Sequence, residues 1–247
     1  MYESHPSLPP PAPDARLWRY MDFARLLYLL ETGALFFPRI TALDDPYEGH
    51  LTRPTVGRVI AIPDGVSESE RSARSELGAE NLRKLVGFRS IVCVSCWHQN
   101  DVESAAMWAL YLRSGEGIAV RTTFARFVES IPAGEPRVSG GMVKYVDYET
   151  YEVPYNIYDW VIIKRKSFEH EREFRAVLMD AGPCEAGVAV PVDVNSLIES
   201  VFIAPSAAPW FADVVRKVVA RYGVTAPVIH SELLAHPGYL TGQPHVA

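Results

Sequence analysis

Two short stretches of this chain concentrate side chains that could do chemistry. The first is Lys164-Arg165-Lys166-Ser167-Phe168-Glu169-His170-Glu171-Arg172-Glu173-Phe174-Arg175, where bases, acids and a histidine lead directly into an apolar strand, Phe174 to Leu178. On an extended backbone Glu171, Glu173 and Arg175 share one face, and Arg172 and Phe174 take the other. Two carboxylates and a guanidinium on one surface suit a reactive site. They equally suit an ion-paired sheet edge with solvated charge. The second stretch, Ser95-Cys96-Trp97-His98 followed by Glu103 and Met107-Trp108, favours a site, because a strand end carries functional groups from a rigid scaffold into a loop. Chemistry alone does not name the reaction.

Each member of the second stretch has an ordinary alternative. Cys93 and Cys96 form a Cys-x-x-Cys string beside His98, but residues three apart on a strand face opposite sides, and only Cys184 remains to complete a site. We therefore expect small buried thiols and no structural zinc. Ser95 lacks the Gly-x-Ser-x-Gly elbow of a serine hydrolase. Glu103, Met107, Trp108 and Tyr111 fall at helical spacing, as core or as a wall stacking on a flat ligand such as a base or nicotinamide ring. Arg19, between Trp18 and Tyr20, could hold a phosphate in two-pronged fashion. Asp44, Asp45, Glu48, His98 and Glu171 could instead gather as hard oxygen and nitrogen ligands for magnesium or manganese in a nuclease or hydrolase.

The elements that must position these groups follow from pattern. Residues 1–15 carry Pro6, Pro9, Pro10, Pro11 and Pro13, which predicts a flexible extended tail, with one folded domain over 16–247. Leu17 to Tyr20 reads as a strand; Asp22 then caps a helix bearing Phe23, Leu26, Leu27 and Leu30, which Gly33 ends. Ala34 to Arg39 reads as a strand, and Asp44-Asp45-Pro46-Tyr47-Glu48-Gly49 as a loop. Residues 67–85 predict a solvated helical excursion. Further strands are expected at Arg89 to Trp97, Gly117 to Thr123, Met142 to Val146, Phe174 to Leu178, Val188 to Val192, Val201 to Ile203 and Val228 to Ile229. Asn100 with Glu103 suggests a capping box for a helix running through Arg113. Phe211, Val214, Val215, Val218 and Tyr222 mark a last amphipathic helix before Gly223. Strands and helices mix without strict alternation, so the fold class is α+β, one domain with mixed or antiparallel sheets and a central cleft. Neither a Gly-x-Gly-x-x-Gly nor a P-loop pattern occurs.

Composition sets the outer bounds. With 247 residues, 48% of them hydrophobic, the chain can bury a sizeable core. A formal net charge of −6 argues against a generally basic nucleic-acid surface, although Lys164 to Lys166 could meet phosphates locally. Three cysteines make no closed disulfide set, and no leader pattern or bilayer-length apolar run occurs, so a cytoplasmic protein without membrane insertion is expected.

Taken in order, Leu17-Trp18-Arg19-Tyr20, Gly33 to Phe37, Asp44-Asp45-Pro46-Tyr47-Glu48-Gly49, Ser95-Cys96-Trp97-His98, Glu103-Ser104 through Met107-Trp108, Gly117-Ile118-Ala119-Val120 and Phe168 to Arg175 resemble domain-of-unknown-function family 2971, a bacterial family, from Arg16 to Leu234. More distantly the chain resembles the ADP-ribosyltransferase-like fold, in which a first-strand arginine or histidine and a late-strand glutamate flank an NAD cleft. Arg19 and Glu173 match those places, Glu171-Arg172-Glu173 matches the Glu-x-Glu of arginine-modifying members, and Ser95 the serine of the middle motif; Cys-Trp-His after Ser95 departs from it. The resemblance implies catalytic roles for Glu173, Glu171 and His98, and contacts to NAD from Arg19, Tyr20, Ser95, Trp97, Trp108 and Arg175. It also implies a nucleotide-like small molecule and a nucleic-acid or protein acceptor as partners, no membrane, and a place in toxin biology or defence against phage. A non-catalytic nucleotide or nucleic-acid binder and a metal-dependent nuclease or hydrolase stand beside this transferase reading. Oligomeric state is not legible in the sequence.

Overall fold

The computed structural model describes residues 1–111, 116–154, 156–179, 181–182 and 186–237. Strand β1 (Arg16–Asp22) leads into helix α1 (Phe23–Thr32), whose first turn is held by the Asp22 carboxylate accepting from the Arg25 N–H, and which ends on left-handed Gly33 (φ 57°). Strand β2 (Ala34–Pro38) follows. An acidic turn then leads to α2 (Arg53–Val59) and α3 (Glu68–Gly87), the expected excursion, which starts with a Ser67/Glu70 capping box and buries little besides Gly78.

Strand β3 (Cys93–Gln99), helix α4 (Ala105–Tyr111), strand β4 (Gly117–Thr123) and helix α5 (Phe124–Ser130) form the middle of the chain. Next come β5 (Ser139–Met142), β6 (Lys144–Val146), α6 (Ile157–Val161), β7 (Ile163–Arg165) and β8 (Glu173–Leu178). The chain closes with β9 (Gly187–Pro191), α7 (Val194–Leu197), β10 (Ser200–Ile203), α8 (Pro209–Arg221) and β11 (Val228–His230). Seven strands make the main sheet in the order β11-β10-β4-β1-β3-β8-β5, antiparallel except for the parallel β10–β11 pair. The fold is therefore α+β, one domain on a mixed sheet.

Register decides which groups meet. Trp18 lies opposite His98, and His98 opposite Glu173, while Cys96 faces Arg175; all of these share one face of the sheet. Arg19, Ser95, Trp97 and Phe174 belong to the other face. Strand β1 runs registered with β4 over all seven of its residues, yet its register with β3 covers only Leu17–Gln99 and Trp18–His98. Beyond Trp18 the two central strands splay apart, which opens the sheet at its middle. The main apolar cluster gathers Leu17, Trp97, Ile118, Phe127, Phe174 and Val201 with Leu26 and Leu29 of α1 and Phe211 and Val215 of α8.

Four expectations need correction. Residues 1–15 are not a free tail: they turn at His5–Leu8 and Ala12–Ala15, Leu8 is fully buried with Val92, Val94 and Val177, and Met142 donates its N–H to the Pro9 carbonyl. Gly141 permits that approach, since a Cβ there would stand 2.7 Å from Leu8. The residues 88–91 form a 3-10 turn, so the strand begins at Cys93 rather than Arg89. Residues 142–146 break into two strands, β5 and β6, in different sheets. Finally, Asn100 and Glu103 build no capping box: Ser104 Oγ accepts from Met107 N, and Glu103 accepts from the Trp108 indole at 2.8 Å. The far end of that helix, including Arg113, lies outside the described residues, as does Cys184.

Candidate functional site

The run from Lys164 to Arg175 folds into strand β7, a 3-10 turn over Lys166–Glu171, and strand β8. Arg172 joins turn to strand in the left-handed conformation (φ 40°, ψ 53°), unusual for a residue with a Cβ. Its carbonyl accepts from Gln99 N, which ties the turn to the end of β3. The strands that carry Trp97 and Glu173 are direct neighbours. His98 Nδ1 sits 2.6 Å from the Glu171 carbonyl.

At the centre Arg175 is fully buried and spends every N–H it has. Nε and Nη2 donate to the two oxygens of Glu173 at 2.6 and 3.0 Å, Nη1 and Nη2 to Glu48 at 2.8 and 3.1 Å, and Nη1 also to the Val161 carbonyl. Lys164 Nζ lies 3.1 Å from Glu48, 2.5 Å from Glu171 and 3.5 Å from Glu173. Burial pushes the Lys164 ammonium down, but the three carboxylates outweigh it and hold it well above its ordinary value. Burial raises Glu173, yet Arg175 and Lys164 overcome it, so that carboxyl stays ionised below the usual range. Glu171 ends up raised, because its burial is only partly offset by Lys164. With 17% of its side chain accessible, against 3% for Glu173, Glu171 is the cluster's open edge.

Across the splay Arg19 donates from Nη1 to Ser95 Oγ at 2.7 Å and from Nη2 to the Phe36 carbonyl at 3.1 Å, with its guanidinium 5.6 Å from the Trp97 ring centre. No carboxylate pairs with it among the described residues, and burial pushes its pKa down to about 10. Ser95 also accepts from the Trp97 indole at 3.1 Å, so a buried hydroxyl links both. Tyr20, on the opposite face, accepts from Ser104 N at 2.8 Å, and its ring meets Trp108 edge-on at 5.0 Å and stacks near Tyr111 at 6.4 Å. Tyr111, 43% exposed, lies within electrostatic reach of Arg19 on one side and of Glu171 and Glu173 on the other.

The structure brings the expected residues together in two groups, not one. Arg19, Ser95 and Trp97 root on one face; Glu173, Glu171, His98, Tyr20 and Arg175 gather on or beside the other. Trp97 and Trp108 are 1% and 2% exposed with their indole N–H groups engaged, so they frame the opening and offer no free face for stacking. Arg175 holds Glu48 and Glu173 and has no donor left for a ligand. The hard-ligand set does not assemble either: Asp45 pairs with Arg165 at 2.7 Å and Glu48 with Arg175, and among the described residues no three His, Cys, Asp or Glu side chains are arranged to hold a metal ion. Glu48, Lys164 and Tyr111 carry weight that sequence reasoning gave elsewhere. Their signals were an acidic turn after a proline, a lysine seven residues before Glu171, and an aromatic at the end of a helical stripe.

No family model matches the chain, and no curated protein matches its sequence. Among solved structures it is similar to Thermus sp. 2.9 DarT in complex with NAD+, at 10% identity and a TM-score of 0.41 over 90% of this chain and 98% of that one. The same protein in complex with ADP-ribosylated ssDNA gives 10% identity and a TM-score of 0.40 over 90% and 95%. Among the described residues no helix is long and apolar enough to cross a membrane.

Proposed function

We propose that the chain is an ADP-ribosyltransferase-like enzyme that takes NAD as substrate and passes its ADP-ribose to a nucleic-acid or protein acceptor in the cytoplasm. The observation that carries the reading is Arg19: a half-buried guanidinium without a carboxylate, held by Ser95 in the opening between the central strands, is suited to a phosphate. Tyr111 at the mouth supplies an exposed ring, and Glu171 an accessible carboxylate beyond it.

In this reading the bond between the ribose C1′ and the nicotinamide nitrogen breaks, and its electron pair leaves with nicotinamide. A lone pair of the acceptor forms the new bond to C1′, and the acceptor's proton passes to Glu171. The raised pKa of Glu171 suits it to take that proton. Its negative charge also favours the cation developing at C1′. Glu173, Arg175 and Lys164 support it as a fixed electrostatic frame. His98 holds the backbone of Glu171, which makes it a positioning residue.

Calorimetry with NAD and a nicotinamide-release assay test the proposal. Glu171→Gln is expected to lower release by about 10²–10³-fold while NAD still binds. Arg19→Ala is expected to weaken NAD binding by about 10-fold or more, the worth of one hydrogen bond to a charged group. No NAD binding at millimolar concentration overturns the reading. Binding without turnover favours a nucleotide-binding module, which the saturation of Glu173 by its neighbours also fits.

A further inference from the structure

A cavity of about 630 Å³ opens at the end of the sheet, where β3 leaves it and the turn before β8 enters. Its wall carries two adjacent amides, Gln99 and Asn100, both half-buried, and among the described residues neither side chain has a hydrogen-bond partner. Both residues are only partly covered, so their amides stay within reach of water and a ligand in the cavity can take up their donors and acceptors without displacing a protein partner. The backbone beneath them is fixed: Asn100 N donates to the Arg16 carbonyl, its own carbonyl accepts from the Trp18 indole at 2.8 Å, and Gln99 N donates to Arg172. The backbone that carries both amides is thus held in place.

The rest of the lining narrows the ligand. Tyr145 and Met142 give the cavity a flat ring and an adaptable thioether. Asp101 and Glu169 outnumber Arg172 around the rim, so a phosphate is not favoured. A planar, uncharged ring with donors and acceptors along one edge fits the amides and the tyrosine together. An Asn or Gln side-chain amide can read such an edge in two-pronged fashion.

We propose that this cavity binds a nucleobase. It adjoins the open carboxylate directly, since Gln99 follows His98 and Arg172 follows Glu171. Tyr145 belongs to both sites: it lines the cavity and its hydroxyl accepts from Glu173 N at 2.8 Å. The base would be that of the acceptor, an assignment that rests on the transferase reading; the binding itself does not.

Saturation-transfer NMR and calorimetry of the full chain with free nucleosides, without NAD, test the binding independently of any turnover. Saturable binding in the millimolar range or tighter is expected, weakened about tenfold or more in Gln99→Ala/Asn100→Ala. Thermal unfolding of that variant checks that the loss is local. A single-stranded oligonucleotide competing with the nucleosides would mark a base within a strand as the source; binding of nucleosides alone would mark a free one. Absence of nucleoside binding, binding unchanged in the double variant, or displacement by a basic peptide alone would each overturn the proposal.

Discussion

Arg19 and Ser95 meet at 2.7 Å across two strands that have stopped pairing one residue earlier. In a continuous sheet the arginine would project over its neighbour and be covered. Here the splay lets the guanidinium fill the gap, and Ser95 and the Phe36 carbonyl take two of its donors. A cation held by neutral groups keeps its charge available, which a carboxylate partner would have cancelled.

Arg175 is expected to be the least replaceable residue of the cluster. Arg175→Met removes the guanidinium that binds both Glu48 and Glu173 and leaves two buried carboxylates to share Lys164. We expect a loss of about 3–5 kcal/mol, the range for breaking a buried ion pair from one side, measured by urea unfolding. Loss below about 1 kcal/mol would mean the cluster is far wetter than its burial indicates.

The N-terminal segment is expected to behave as part of the fold. Leu8→Ala should cost about 2–5 kcal/mol, because Leu8 is wholly enclosed, and removal of residues 1–15 should destabilise the chain at least as much. A truncated protein with an unchanged melting temperature would contradict the packing described.

His98 is expected to leave a signature in the pH dependence of stability. Burial lowers its pKa below the ordinary value of 6.5, with Arg172 and His170 adding to the effect against the Glu171 carbonyl. The unfolded chain therefore binds the proton first, so the stability contributed by neutral His98 is present above about pH 6.5 and is lost as pH falls. His50, also lowered, acts in the same direction. Glu171, raised, acts oppositely and nearer its own range. Denaturant melts between pH 7 and pH 5 should show stability falling, with a shallower slope in His98→Gln; an unchanged slope would exclude His98 as a source.

The elements that local chemistry fixes were readable. Asp22 and Gly33 bound α1, and the apolar run Phe174 to Leu178 lies in a strand, because caps and short apolar runs act within a few residues. The pairing of β3 with β8 could be anticipated from two loaded strand ends. What could not be read was parity across the sheet: whether Arg19 and Glu173 share a face depends on the Trp18–His98–Glu173 register, which is a long-range property. Nor could the sequence tell that Glu48, 125 positions before Glu173 in the numbering, shares Arg175 with it. Tail proline density said nothing of Leu8, whose burial depends on the close approach that Gly141 permits.

A sheet whose central seam holds only two registered pairs has its weakest line in the middle, where sheets are ordinarily strongest. On one side lie β11, β10, β4 and β1; on the other, β3, β8 and β5. The two groups resemble pages joined near one end of a spine. Loosening along that spine would leave the registered pairs within each half intact.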